Sequence, residues 1–368
     1  MRNILFVFGT RPEVIKLYPL IEIFKNDIKN YKVVVCNVGQ HKEMVDEMVN
    51  QFNIVIDHDF SVMKNNQSLS ELLSKIINEF ENNLGNSNFD YVFAVGDTLT
   101  ALYTALFSYQ NKIKFCHIEA GLRSNNLYSP WPEEGYRKMI SQITSLHFAP
   151  TIKSKENLIK ENIDKDKIFV TGNTVIDSLL KVANKNLSKN LDKNLLNIVN
   201  SKFIIVTSHR RENLGNKLNQ ICEAIKIIAL ENKNLNVVFP VHLNPNVRKV
   251  VFEILDGISN IYLIEPLDYH NFIFLMKKAY LIVTDSGGIQ EEAPSLNIPV
   301  LVIRDTTERE DALECGTIEL IGYEKKNIVQ RVSSYLNDKQ IYNQMVNKVN
   351  PYGDGSTAKT IKYIIDEQ

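Results

Sequence analysis

The stretch Ile4-Leu5-Phe6-Val7-Phe8-Gly9-Thr10-Arg11-Pro12-Glu13-Val14-Ile15-Lys16-Leu17 decides the fold. A short, unbroken apolar run reads as a strand covered on both faces. Gly9 ends it. Thr10 and Glu13 then have capping-box spacing and Pro12 suits a first helical turn, so a helix is expected over Pro12–Lys25. Strand, glycine turn and capped helix open a parallel α/β unit. The same grammar recurs along the chain. Strands are expected at Ile4–Phe8, Lys32–Val38, Tyr91–Val95, Lys114–Ile118 and Leu146–Ala149, then at Phe203–Thr207, Asn236–Pro240, Ile261–Ile264, Leu281–Thr284 and Val300–Ile303. Helix-period segments such as Leu69–Asn82 and Leu218–Leu230 lie between them, and Thr357–Asp366 reads as a closing helix. The alternation occurs on both sides of an Asn/Lys-rich stretch, Asn184–Asn200, which reads as the surface side of a domain junction. The expectation is two doubly wound, Rossmann-like α/β domains with the active site in the cleft between them. A length of 368 residues fits two ordinary domains better than one.

Hydrophobic residues make up 44% of the chain and charged residues 23%, a globular composition. Basic and acidic residues number 42 and 43, so no basic excess exists to drive non-specific nucleic-acid or membrane binding. Cys36, Cys116, Cys222 and Cys315 lie far apart without a CxxC, which excludes a zinc ribbon, argues against a disulfide scaffold and points to a cytoplasmic location. The first apolar run is too short for a signal-peptide core, and none approaches the roughly 20 residues that span a bilayer.

In open parallel sheets ligands bind beyond the carboxyl ends of the strands, so the residues following each strand matter most. After the first strand, Arg11 stands at a helix N-terminus with Lys16 about one turn on. Free N–H groups and two cations make a candidate anion site, though a capped helix with surface cations reads equally well. After Leu281–Thr284 come Asp285-Ser286-Gly287-Gly288 and a helix expected to begin near Ile289. The hydroxyl of Ser286 and the amides of Ser286, Gly287 and Gly288 suit a phosphate, and Glu292 one turn on suits ribose hydroxyls. Phosphate binding is favoured there over a plain glycine turn, because hydroxyl, glycines and acids coincide.

Three carboxylates have catalytic placement. Asp97 follows Phe93-Ala94-Val95-Gly96, Glu119 follows Cys116-His117-Ile118, and Glu133 precedes Glu134 just after Ser129-Pro130-Trp131-Pro132. Asp97 alone reads as readily as a helix N-cap. Glu119 is harder to dismiss, since an unpaired carboxylate at the end of a buried strand is costly. His209, beside Arg210 and Arg211, and His242 follow two strands of the second half, and Arg304 and Arg309 add cations after another. No GxGxxG follows a strand, and no GxxxxGK[ST], GxSxG or HExxH is present. The chemistry expected is therefore acid–base work on a phosphorylated or nucleotide-linked substrate, with no cofactor and no metal.

Several motifs together resemble those of the non-hydrolysing UDP-N-acetylglucosamine 2-epimerases. They are Gly9-Thr10-Arg11-Pro12-Glu13, His117-Ile118-Glu119-Ala120-Gly121-Leu122-Arg123, Ser129-Pro130-Trp131-Pro132-Glu133-Glu134, Thr171-Gly172-Asn173-Thr174-Val175-Ile176-Asp177, His209-Arg210-Arg211-Glu212, Pro240-Val241-His242-Leu243-Asn244-Pro245, Asp285-Ser286-Gly287-Gly288-Ile289-Gln290-Glu291-Glu292-Ala293-Pro294-Ser295 and Pro351-Tyr352-Gly353-Asp354-Gly355. They run in order from residue 9 to residue 355 and so cover essentially the whole chain. The resemblance implies a fold like that of glycosyltransferase type B, whose last helix crosses back to the first domain. On that pattern residues 1–172 plus 352–368 form the N-terminal domain and 173–351 the UDP-binding domain. It implies reversible conversion of UDP-GlcNAc to UDP-ManNAc for cell-envelope or capsule polysaccharide. Arg11, Lys16, Ser286, Gly287, Gly288, Glu292 and Arg309 would then bind the nucleotide, together with His209, and Phe272 would lie near the uracil. Asp97, Glu119 and Glu133 would form the acid–base group, assisted by His209. Such proteins are typically homodimers. Bacterial ones can be activated by a second UDP-GlcNAc bound beside the substrate, at positions matching Gln40, His41, Gln67, Glu133, Arg210 and His242. The chain departs from the pattern at Thr98-Leu99-Thr100-Ala101, at Glu310-Asp311, and at Asn66, where some members carry a basic residue.

The C2 hydrogen of a UDP-sugar is not adjacent to a carbonyl, so its removal has to be coupled to departure of UDP from C1. That gives 2-acetamidoglucal, to which UDP adds back. Carboxylates on both sugar faces and cations around the pyrophosphate meet this need. The rivals are a hydrolysing epimerase, against which Pro12-Glu13 weighs, an epimerase of a related UDP-2-acetamido sugar, a type B glycosyltransferase and a non-catalytic UDP-sugar sensor.

Overall fold

The computed structural model describes residues 1–40, 42–64, 67–185 and 193–368. The chain divides into two compact domains, Met1–Ser178 with Tyr352–Gln368, and Leu179–Pro351. Among the described residues the first carries β1 (Arg2–Phe8), β2 (Tyr31–Asn37), β3 (His58–Asp59), β4 (Tyr91–Val95), β5 (Lys114–Ile118), β6 (Leu146–Ala149) and β7 (Ile168–Val170). They form one parallel sheet in the order β3-β2-β1-β4-β5-β6-β7. The second carries β8 (Phe203–Thr207), β9 (Asn236–Pro240), β10 (Ile261–Ile264), β11 (Leu281–Thr284), β12 (Val300–Val302) and β13 (Ile318–Leu320). Their order is β10-β9-β8-β11-β12-β13, again all parallel. In each sheet the order reverses once, between β1 and β4 and between β8 and β11. Those two places are where a doubly wound sheet opens a crevice.

All ten expected strands form, and they form because they are apolar on both faces. β4 and β8 are buried at every position, and helices supply the covering. In the first core Phe6 stacks on Phe93 with ring centroids 4.9 Å apart, and Phe24 packs edge-on against Tyr31 at 4.8 Å. In the second, helix Asn216–Glu231 buries Leu218, Ile221, Cys222, Ile225 and Ile228 against the sheet. Three strands were not foreseen from the sequence. β3, β7 and β13 are edge strands of two or three residues, too short to show a period. The helix expected near Ile289 starts earlier, at Gly287, because Ser286 already takes the capping position. The Asn/Lys-rich stretch lies partly outside the described residues; its end, Lys193–Ile198, is a short helix.

The C-terminal helix Thr357–Glu367 belongs to the first domain. It buries Ile361 and Ile365 there, and the Ile365 carbonyl accepts a hydrogen bond from Arg2. Tyr31 donates its hydroxyl to Asp366, and the Asn173 amide donates to the Tyr352 carbonyl at 2.7 Å. No helix of the described residues is long and apolar enough to cross a membrane.

β5 and β6 pair His117 with His147 in register, and both rings are fully buried. Burial drives both imidazoles toward the neutral form, His117 down to about 4 and His147 down to about 3. Neither nitrogen of His147 has a hydrogen-bond partner among the described residues. A histidine depressed below its unfolded value of about 6.5 stabilises the fold fully above that pH and loses its contribution as pH falls toward the folded value. At pH 5 the loss for His147 is about 2 kcal/mol relative to pH 7. Urea unfolding of the native protein and of His147→Phe at pH 7 and pH 5 should therefore differ in slope. The variant is expected to lose about 2 kcal/mol less on acidification; equal losses would show that His147 does not titrate on unfolding.

Candidate functional site

In the first domain the turns after β1, β4 and β5 carry the polar residues. Thr10 and Glu13 form the capping box anticipated for helix Arg11–Lys25. Glu13 Oε2 accepts from the backbone N–H groups of Gly9 and Thr10, both at 2.8 Å, and Oε1 accepts the Thr98 hydroxyl at 2.5 Å. Burial still pushes its carboxyl above the ordinary value. Glu13 thus ties the β1 turn to the β4 turn. Arg11 begins this helix half-buried, and no carboxylate among the described residues pairs with it. Lys16 instead faces the Glu119 carboxylate as an ion pair.

Asp97 is not the helix cap. Thr98 takes that role for helix Leu99–Gln110, accepting from the Ala101 N–H at 3.1 Å. Asp97 pairs with Arg137 at 2.5 Å, and Arg137 also reaches Glu134 at 3.2 Å. Burial disfavours the charge on Arg137, but the two carboxylates outweigh it. Glu134 is fully buried and accepts the amides of Ser124 and Asn125 at 3.0 and 3.2 Å. Glu119 sits in the left-handed region with φ +63° and accepts from the Asn173 side chain at 2.7 Å. A non-glycine residue held there is strained, and such strain gathers at functional sites. Glu133 opens helix Glu133–Ile143, and its Oε2 is buried with no hydrogen-bond partner among the described residues. Gln40 accepts the Thr100 hydroxyl at 3.0 Å and Gln67 accepts from Lys75 at 2.7 Å. His41 and Asn66 lie outside the described residues.

In the second domain one carboxylate organises the crevice between β8 and β11. Asp285 is fully buried. Its Oδ2 accepts from Ser208 Oγ at 2.9 Å, from Asn213 at 3.0 Å and from the backbone N–H groups of His209 and Arg210 at 3.0 and 3.1 Å. His209 Nδ1 lies 3.2 Å from Oδ1. Burial alone would raise the Asp285 carboxyl, but His209 and these donors hold it below the usual value. The His209 and His242 rings lie nearly parallel with centroids 5.7 Å apart, and burial together with His209 lowers His242.

Beside them Glu308 gathers three guanidinium groups, Arg304 at 2.8 Å, Arg309 at 2.9 Å and Arg210 at 3.1 Å. Burial opposes its charge, yet the three arginines bring its carboxyl down to about 2. Arg309 is held from the other side by buried Glu291 at 2.7 Å. A Cβ on Gly287 would stand 3.1 Å from Arg309 Cζ and 3.3 Å from Arg210 Nη2, so the bare backbone there lets the guanidinium groups close in. Gly288 is exposed with open space beside it, and the Ser286 amide donates to Thr284 Oγ1 at 2.9 Å. Glu292 accepts the Tyr269 hydroxyl at 3.0 Å, and half-buried Phe272 lies on the same helix, Tyr269–Lys278.

The structure therefore brings Lys16 to Glu119 within the first domain. Within the second it brings His209 to His242, and Arg210 and Arg309 to Gly287. The sequence reading missed the partners that hold these groups: Arg137, Asn173, Asp285, Glu291 and Glu308. Asp285 was in view as the first residue after a buried strand, and Arg137 one helical turn beyond Glu133 was the other available signal. Among the described residues no three His, Cys, Asp or Glu side chains gather as a metal-binding group.

A family model described as UDP-N-acetylglucosamine 2-epimerase matches residues 25–366. A UDP-N-acetylglucosamine 2-epimerase from Campylobacter jejuni is 48% identical over 376 residues, covering 99% of this chain and 97% of that protein. The crystal structure of the UDP-GlcNAc 2-epimerase from Neisseria meningitidis bound to UDP-GlcNAc matches at TM-score 0.91 and 43% identity, covering all of both chains. A glycotransferase of kitacinnamycin matches at TM-score 0.64 but 9% identity over 100% of this chain and 98% of that one, which shows the fold alone. The two parallel-sheet domains are those of the glycosyltransferase type B fold.

Asp285→Ala would strand several donors around a buried space. It is expected to cost about 3 kcal/mol at pH 7, read as a lower urea midpoint for the second domain. Because the folded carboxyl lies below its usual value of 3.8, its contribution is complete above that pH. The gap between native protein and variant should narrow only as pH falls below about 4; a gap unchanged into stronger acid would count against the ionised pairing.

Proposed function

The chain belongs to the UDP-N-acetylglucosamine 2-epimerase family, and from that premise we propose that it interconverts UDP-GlcNAc and UDP-ManNAc without hydrolysis. Asp97, Glu119 and Glu133 do the proton work. One carboxylate takes the C2 proton while the C1–O bond to UDP breaks. The C–H electron pair becomes the C1=C2 double bond of 2-acetamidoglucal, and the C1–O pair leaves with the diphosphate. The diphosphate oxygen then adds back to C1 as an acid delivers a proton to C2 on the opposite face. Atoms balance without water, so excluding water protects the intermediate.

The observation that carries this reading is how the candidate acids are held. β4 and β5 are neighbours in the sheet, and just past their carboxyl ends Asp97 is fixed by Arg137 and Glu119 by Lys16. Glu133, whose Oε2 is buried without a hydrogen-bond partner among the described residues, is the third candidate acid. A carboxylate locked by a cation keeps one orientation, which proton transfer requires. His209, set by Asp285, assists. The nucleotide is assigned to Arg11, Lys16, Phe272, Ser286, Gly287, Gly288, Glu292 and Arg309. Glu291 and Glu308 orient Arg309, and the open face of Gly288 leaves backbone N–H groups for an anion. The proposal extends to a cytoplasmic homodimer, to a supply of ManNAc-type sugar for surface polysaccharide, and to a second UDP-GlcNAc as activator at Gln40, His41, Gln67, Arg210 and His242.

Proton NMR with UDP-GlcNAc in D2O tests the reading directly. UDP-ManNAc carrying deuterium at C2, with little free UDP, is expected. Free ManNAc and UDP would mean hydrolysis, and no turnover would defeat the epimerase reading for this substrate. Asp97→Asn, Glu119→Gln and Glu133→Gln should each lower kcat by about 10²–10⁴. Full turnover in any one of them removes that residue from the mechanism.

A further inference from the structure

We propose that His117 is a positioning residue whose Nε2–H grips the Gly96 carbonyl and thereby fixes Asp97 and Glu119. The inference rests on the epimerase reading and goes beyond it. His117 Nε2 lies 2.7 Å from the Gly96 oxygen. A carbonyl oxygen only accepts, so Nε2 carries the hydrogen and the ring is the neutral Nε2–H tautomer. Its depressed basicity in the buried strand agrees with that state.

The bond acts at a decisive place. Gly96 has φ +73°, a left-handed conformation that turns the chain sharply out of β4. Its N–H donates to the Ile118 carbonyl at 3.0 Å. Both peptide groups of Gly96 are therefore held by β5, one through Ile118 and one through the His117 ring. Asp97 is the next residue after Gly96, and Glu119 is the next after Ile118. The Glu119 Oε1 atom lies 3.8 Å from where a Cβ on Gly96 would stand, so the two turns touch. The pair of acids is thus referenced to one cross-tie.

Packing alone does not explain an imidazole here. With Nε2 donating, Nδ1 is a buried acceptor, and it has no hydrogen-bond partner among the described residues. A phenyl ring would fill the same buried site without that desolvation cost. What the imidazole adds over a phenyl ring is the donated hydrogen bond to the turn. A reacting group displaced by about 1 Å can lose on the order of 10² in rate, so a single such tie matters.

Nitrogen-15 histidine NMR on the native protein at pH 7, with the His117 ring signals assigned through bonds from its own backbone, should show the neutral Nε2–H tautomer. An Nδ1–H tautomer would overturn the proposal even if every variant failed to fold. His117→Phe should lower kcat with UDP-GlcNAc roughly 30–100-fold and leave KM within about threefold. His117→Gln, whose amide nitrogen reaches close to the Nε2 position, should restore kcat to within about fivefold of native. Native kcat in the Phe variant, equal impairment of both variants, or a loss confined to KM would each refute it. If the native protein does not turn over UDP-GlcNAc, the epimerase reading fails. Amide exchange at Gly96, expected to rise about tenfold in His117→Phe, still tests the cross-tie itself.

Discussion

A parallel sheet whose strand order reverses leaves a crevice where crossovers on its two faces diverge, and both domains depend on that constraint. In the first the crevice is bounded by the turns after β1 and β4, in the second by the turns after β8 and β11. Backbone N–H groups and helix starts converge there, so charged side chains cluster without leaving the sheet. Every residue proposed to do chemistry lies within a few residues of a strand's carboxyl end or on the helix that follows it.

The two domains satisfy buried charge in opposite ways. In the first the groups proposed to act are carboxylates, and cations hold them: Arg137 on Asp97, Lys16 on Glu119. In the second the groups proposed to act are arginines, and carboxylates hold them: Glu291 and Glu308 on Arg309, Glu308 on Arg210. A buried charge left alone would cost several kcal/mol, so each arrangement lets the protein fold with its reactive groups in place. On the proposed reading a diphosphate would meet guanidinium groups already oriented in the second domain.

The legible part of the molecule was the part decided locally. Ten strands announced themselves through apolar runs, and the capping box at Thr10 and Glu13 through its spacing. β3, β7 and β13 did not, because an edge strand of two or three residues borrows its conformation from its neighbour. The candidate acids were legible from their position after strands. Their partners were not. Arg137 reaches Asp97 only because its helix packs beside the turn after β4, and Asp285 reaches Ser208 only because β11 lies next to β8. Those adjacencies are set by strand order, which the sequence alone does not state.

Several of the first domain's irregularities lie close to these residues. Glu119 is held left-handed, Glu133 keeps a buried oxygen unpaired, and His117 and His147 keep ring nitrogens unpaired among the described residues. Each choice costs stability that an apolar or glycine substitute would spare. Three of them lie at the carboxyl end of β5, in the turn after it and at the start of helix Glu133–Ile143, and His147 lies on β6 beside His117. In the second domain the buried carboxylate Asp285, just past β11, has a full set of donors. Groups that only bind gain from complete satisfaction. A domain that moves protons needs groups whose partners are incomplete until substrate arrives, and local strain that keeps them from collapsing onto one another. On the proposed reading, that difference suits carboxylates that move a proton in the first domain and guanidinium groups that take up an anion in the second, where His209 assists.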